Sequence, residues 1–115
     1  MLAIEKLRAI CQQMPDYPMR SHPTPRARDF YDIYSVIEGT HIDLITLTNL
    51  QLARDIFAAK SVPLTLISKI SEHREFHKQD WPAVELTVSG KLLEFDFYFD
   101  FVIGQTRLLE SLWEK

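Results

Sequence analysis

The residues best suited to chemistry lie at positions 28–32, where the sequence is Arg-Asp-Phe-Tyr-Asp. Asp29 and Asp32 are three positions apart, so a helix would place both carboxylates on one face. Phe30 and Ile33 would point elsewhere, into the core, so the two carboxylates are the strongest candidates for chemistry in the sequence. A structural role also explains the pattern, because the helix dipole stabilises acidic residues in a first turn.

A second candidate is Lys6, which follows Glu5 and has Ala3 and Ala9 three positions to either side. These small neighbours leave space around the ammonium group, so a ligand phosphate could approach it. A lysine suits nucleotide phosphates because it is a compact point charge. The structural alternative is an ordinary solvated lysine on a helix surface.

Together, residues 5–9 (Glu-Lys-Leu-Arg-Ala) and 26–34 (Arg-Ala-Arg-Asp-Phe-Tyr-Asp-Ile-Tyr) resemble the AbiEii family of nucleotidyltransferases. These proteins are usually toxins of bacterial toxin–antitoxin pairs. In the family, an N-terminal sheet carries a Gly-Ser motif and a metal-binding Asp-x-Asp pair, and a helical half follows it. The matching motifs lie within residues 4–34, so the resemblance implies the helical C-terminal half.

The resemblance also implies roles for individual residues. Lys6 and Arg26 would bind the phosphates of a nucleoside triphosphate, and Lys6 and Asp29 would be the catalytic pair. Supporting roles would fall to Glu5, Arg28 and Asp32. The implied cofactors are Mg²⁺ and the nucleotide, which fits a reaction that stabilises charge on phosphoryl oxygens with cations and a positioned carboxylate.

One family feature is missing, since no Gly-Ser element followed by Asp-x-Asp occurs in the 115 residues. We therefore predict no metal ligands here, and no transferase activity from the chain alone. The expected partner is an N-terminal nucleotidyltransferase lobe or an antitoxin. The alternative is a non-enzymatic helical interaction module that binds a partner or forms a homodimer through an exposed apolar face.

Apolar side chains recur at helical spacing in four segments, which predicts helices over residues 2–14, 26–38, 49–60 and 63–77. The proline-rich stretch 16–25 should be a loop.

Local signals suggest where three of these helices begin or end. Gly39 predicts the end of the second helix, and Pro63 suits the first turn of the fourth. Thr48 and Gln51 match a capping box, which predicts the start of the third helix.

Residues 84–101 fit two structures. Val84, Leu86 and Val88 alternate as in a strand, and the period-two phenylalanines from Phe95 could pair with them as a small hairpin. The later residues also continue a helical stripe, and we favour a long last helix. The prediction is a single all-α domain over residues 1–115, with about five to six helices.

His73 and His77 are four positions apart and could share a metal, but no third ligand accompanies them, so we expect two solvated histidines. Cys11 lies in an apolar stripe and should be a buried hydrophobe.

The composition narrows the classes of function. There are 13 basic and 16 acidic residues, for a net charge of −3, so nucleic-acid binding without help is disfavoured. No apolar run approaches the ~18 residues of a membrane-spanning helix. We expect a cytoplasmic protein.

Overall fold

The computed structural model describes residues 1–19 and 22–113. Within these ranges the chain forms α-helices and 3-10 segments and no strand, which confirms the predicted all-α class. The helices are α1 (Leu2–Gln12), α2 (Ala27–Thr40), α3 (Leu47–Ala59), α4 (Arg74–Lys78), α5 (Trp81–Thr87) and α6 (Phe95–Leu108). The 3-10 segments are Leu64–His73 and Glu110–Leu112.

Helix α2 lies between α1 and α6 and makes the most extensive helix–helix contacts with these two elements. Phe30 is at the centre, with no exposed surface, and its ring stacks on Phe99 at a centroid distance of 5.2 Å. Phe95 meets the edge of the same ring at 5.4 Å. The buried apolar residues of the described chain form one cluster, so α2 is fixed on both sides.

The favoured long last helix is confirmed as α6, and the hairpin alternative is wrong. Phe95 and Phe99 are each 1% exposed, whereas Phe97 between them is 42% exposed. Burial therefore follows a helical spacing of four, although α6 ends at Leu108 and does not reach Trp113. Residues 84–87 belong to α5, which begins with Pro82 in its first turn.

The predicted end of the second helix at Gly39 is wrong, because α2 continues through Gly39 and Thr40. His41 ends it by adopting a left-handed conformation with φ of 54°. Glycine is permitted at such a stop but is not required when another residue adopts that conformation.

The predicted capping box at Thr48 and Gln51 is also wrong. Thr46 is the N-cap of α3, where its side chain accepts a 3.2 Å hydrogen bond from the backbone N–H of Asn49. An N-cap needs an extended backbone, which Thr46 has, whereas Thr48 is already inside the helix. The Gln51 amide instead donates to Asp55.

The fourth predicted helix is divided between two helix types. Residues Leu64–His73 are 3-10, and only Arg74–Lys78 is α-helical. Ile67 and Ile70 are both buried and three positions apart, a spacing that matches the three residues per turn of a 3-10 helix. Pro63 precedes this segment as its N-cap.

Cys11 has no exposed surface in α1, and its burial raises the pKa of the thiol. The expectation of a buried, hydrophobe-like cysteine is confirmed. No helix in the described part of the chain is long and apolar enough to cross a membrane.

Candidate functional site

Helices α1 and α2 bring the two candidate motifs into direct contact. The Lys6 ammonium lies 3.1 Å from Asp32 Oδ2 and 3.4 Å from Asp29 Oδ1. Asp29 and Asp32 lie one helical turn apart and both face α1, as their spacing predicts. The two helices pack closely on each other, and Ala3 and Leu7 of α1 and Ile33 of α2 are buried.

Two arginines complete the ion-pair network. Arg26 Nε donates to Asp29 Oδ2, and Arg28 Nε lies 3.8 Å from Asp32 Oδ1. Arg28 also donates through Nη1 to Thr87 Oγ1 at 3.1 Å, which ties the start of α2 to the end of α5. Each carboxylate is therefore shared between Lys6 and one arginine.

The Asp29 carboxylate is less exposed than the cationic side chains around it. The Asp29 side chain is 5% exposed, whereas those of Lys6 and Arg26 are 29% and 34% exposed. Arg28 is more exposed still, at 52%. A ligand that approaches this site meets the cations first, and Asp29 lies beneath them.

The protonation of Lys6 reflects competing influences. Partial burial alone would lower its pKa, but the hydrogen bond to Asp32 and the charges of Asp29 and Asp32 together raise it above the ordinary value of 10.5. The ammonium is therefore fully charged at neutral pH.

The backbone at the start of α2 is held by residues distant in sequence. The Arg26 N–H donates to His77 Nδ1 at 3.0 Å, and the Ala27 N–H donates to Asp80 Oδ1 at 3.0 Å. Arg26 is the N-cap residue and makes no side-chain cap of its own. Sequence reasoning missed both acceptors, since they lie 51 and 53 positions from their donors.

The expectation of two solvated histidines is wrong. His77 has no exposed surface and packs against the Phe30 ring at a centroid distance of 5.0 Å. Burial, together with the charges of His73 and Arg26, lowers the pKa of His77 to about 4, so the imidazole is neutral at pH 7. His73 is half-buried and contacts the Asp16 carboxylate.

The ion-paired side chains of α1 and α2 border a cleft of about 310 Å³. Its lining residues are Lys6, Pro25, Arg26, Arg28, Asp29, Asp32 and Asp80. The cleft gathers every predicted site residue except Glu5, which is exposed on α1. Asp80 could have been suspected as an acidic residue before Trp81-Pro82 at a helix start, but nothing local predicts its contact with α2.

The carboxylates of the cleft already have partners. Asp29 and Asp32 are occupied by Lys6 and the arginines, and Asp80 accepts from the Ala27 amide. Within residues 1–19 and 22–113, no group of three or more His, Cys, Asp or Glu side chains is placed to hold a metal. These carboxylates therefore do not fit Mg²⁺, whereas Lys6, Arg26 and Arg28 are at least partly exposed and carry N–H donors of the kind that phosphate oxygens accept from.

Comparison with known proteins identifies the family. The family model described as "Nucleotidyl transferase AbiEii toxin, Type IV TA system" matches residues 1–101, which include α1 to α5 and the first half of α6. No curated protein and no solved structure gives a significant match. Because the family model covers most of the 115 residues, this chain belongs to the AbiEii nucleotidyltransferase toxin family.

Proposed function

We propose that the cleft between α1 and α2 is the nucleotide site of a nucleotidyltransferase toxin. Lys6 and Arg26 bind the triphosphate, Asp29 is the acidic group at the reacting centre, and Arg28 and Asp32 hold the cluster in place. The observation that carries this proposal is the direct contact of Lys6 with Asp29, 3.4 Å apart on different helices. Family membership supports it independently.

The charge arrangement explains how a phosphate could enter the cleft. Lys6, Arg26 and Arg28 balance Asp29, Asp32 and Asp80, so the cations are neutralised before a ligand arrives. A triphosphate is a more highly charged anion than a carboxylate and competes with Asp29 for the same donors. Once Lys6 and Arg26 contact phosphate oxygens, Asp29 is released from part of its ion pairing.

The released carboxylate then has a chemical role. In nucleotidyl transfer, the acceptor oxygen forms a bond to the α-phosphorus, the bond to the β-phosphate oxygen breaks, and pyrophosphate leaves. Asp29 accepts the proton of the acceptor group as its oxygen attacks. Lys6 and Arg26 stabilise the negative charge that develops on the phosphoryl oxygens.

The metal ligands of such a reaction lie outside this cleft. The cleft carboxylates are already paired, and the 115 residues contain neither a Gly-Ser element nor an Asp-x-Asp pair. We therefore propose that a nucleotidyltransferase lobe with these motifs packs over the exposed cations and completes the site. The toxin family favours an antitoxin as a further partner.

Nucleotide binding tests the proposal. The full chain would be titrated with each of the four ribonucleoside triphosphates, with and without Mg²⁺, alone and with a lobe that carries Gly-Ser and Asp-x-Asp motifs. We expect Lys6→Ala to weaken binding by about 10-fold or more, the loss associated with one charge-assisted hydrogen bond.

Lys69→Ala is the matched control, because Lys69 does not line the cleft and forms a surface ion pair with Glu72 at 3.5 Å. Its affinity for nucleotide should equal that of the wild type. Equal binding by Lys6→Ala and wild type would overturn the assignment of Lys6. Indifference to all four nucleotides, with the lobe present, would overturn the proposed function and favour a non-enzymatic interaction module.

A further inference from the structure

The C-terminal end of α4 and the short connection that follows it hold the N-terminus of α2. His77 accepts from the Arg26 amide and Asp80 accepts from the Ala27 amide, each at 3.0 Å. The first N–H groups of a helix have no partner within the helix and need acceptors from elsewhere. Here two consecutive groups find them on one distant segment, so the segment fixes both the position and the direction of the α2 start.

A distant cap leaves the Arg26 side chain available. Helices usually begin with a Ser, Thr, Asp or Asn whose own side chain accepts from the first turn. Arg26 occupies that position in α2, and its guanidinium contacts Asp29 in the cleft. Because His77 and Asp80 supply the acceptors, the N-cap position can carry a cation that faces the ligand site.

A histidine at position 77 is energetically unfavourable in one respect. Its Nε2 is buried and has no hydrogen-bond partner in the described part of the chain. An unpaired buried polar atom lowers stability, and an apolar side chain would avoid that loss. Packing against Phe30 therefore does not explain a histidine here, whereas the acceptor at Nδ1 does.

We propose that His77 and Asp80 are positioning residues, which hold the first turn of α2 so that Arg26 and Asp29 face Lys6. The capping role stands on the two hydrogen bonds alone. Its consequence for ligand affinity rests on the proposed function of the cleft.

Substitutions at His77 separate capping from packing. His77→Leu keeps an apolar side chain against Phe30 but removes the acceptor. His77→Asn provides Oδ1 at the position of Nδ1 and so keeps the acceptor. His73→Leu is the control, because the His73 side chain contacts Asp16, and within residues 1–19 and 22–113 it makes no hydrogen bond to α2.

Two measurements on the full chain give independent answers. The first is amide hydrogen exchange at Arg26 and Ala27, with the amides of α3 as an internal reference. The second is affinity for the triphosphate that the wild type binds best. We expect His77→Leu to speed exchange at Arg26 at least 10-fold and to lower affinity, while His77→Asn restores both.

Asp80→Ala should speed hydrogen exchange at the Ala27 amide in the same way. Asp80→Asn keeps an Oδ1 acceptor and should restore the wild-type exchange rate. Unchanged exchange at Arg26 in His77→Leu would overturn the capping role. Faster exchange with unchanged affinity would overturn the positioning role. If the wild type binds no nucleotide even with the lobe, the proposed function fails, and the exchange data still decide whether His77 and Asp80 cap α2.

Discussion

The Lys6 ammonium of α1 lies 3.4 Å from the buried Asp29 carboxylate of α2. The two residues belong to separate motifs, and the packing of α1 on α2 brings them together. The Asp29 side chain is 5% exposed and contacts both Lys6 and Arg26, so Asp29 is the centre of the ion-pair network. Its removal should affect both stability and ligand affinity.

Asp29→Ala should lower the free energy of unfolding by about 2 kcal/mol, because it leaves two cations without their shared carboxylate. The loss should fall below that of a fully buried pair, since Lys6 and Arg26 remain partly exposed and can be hydrated. Urea denaturation measures it. Asp55→Ala is the control, because Asp55 is exposed on α3, and its stability should equal that of the wild type. Equal losses in both variants would contradict the central position of Asp29.

The stability of the protein should depend on the ionisation of His77. Its pKa is about 4 in the folded chain and 6.5 as the ordinary value, so between these pH values the unfolded chain binds the proton and the folded chain does not. The contribution of neutral His77 to the free energy of unfolding is therefore fully present above pH 6.5. As pH falls from 6.5 toward 4, the free energy of unfolding decreases by up to about 1.4 kcal/mol per pH unit.

The comparison of wild type with His77→Leu isolates this contribution. Asp96 adds a separate loss at lower pH, because hydrogen bonds from Lys78 and Arg74 hold the pKa of its carboxyl below 3.8. Chemical denaturation at intervals from pH 7 to pH 4 would show a shallower slope for His77→Leu. Parallel curves for the two proteins would argue against a buried neutral His77.

Two phenylalanines of α6 should respond differently to truncation. Phe99 is 1% exposed and stacks on Phe30, so Phe99→Ala should cost about 3–5 kcal/mol of stability. Phe97→Ala should cost clearly less, since Phe97 is 42% exposed. Thermal and urea unfolding of the pair provide the comparison. Similar losses would be inconsistent with the helical register of α6.

The start of α3 allows a similar comparison. Thr46→Ala should destabilise the protein by about 1 kcal/mol, because the Asn49 N–H loses its acceptor. Thr48→Ala should have little effect, as Thr48 is exposed inside the helix. Urea denaturation distinguishes them, and a larger loss in Thr48→Ala would restore the capping box that the sequence suggested.

The sequence predicted the features that depend on local periodicity. The helices that carry Lys6 and Asp29 follow from apolar spacing, and the common face of Asp29 and Asp32 follows from their separation of three. The choice of a helix over a hairpin at Phe95 also came from a continuous stripe. These features need no knowledge of the tertiary structure.

The N-cap of α3, the burial of His77 and the capping of α2 could not be predicted from local sequence patterns. Thr46 and Thr48 are both suitable caps by residue type, and only the backbone conformation selects Thr46. Histidine is intermediate in its tendency to be buried, so its residue type does not predict that His77 packs against Phe30 in the core. The capping of α2 by His77 and Asp80 depends on how α4 and α5 fold back onto that helix.

A nucleotide site between α1 and α2 is tested most directly by locating a bound nucleotide on the isotope-labelled chain. Backbone amide shifts would be followed by ¹H–¹⁵N NMR as the preferred triphosphate is added with Mg²⁺, in the presence of the completing lobe. We predict that the amide signals of Lys6 and of residues 26–29 shift, that these shifts disappear in Lys6→Ala, and that the signals of α3 are unaffected. Shifts confined to α3 or the end of α6, or the same shifts in Lys6→Ala, would contradict a nucleotide site between α1 and α2.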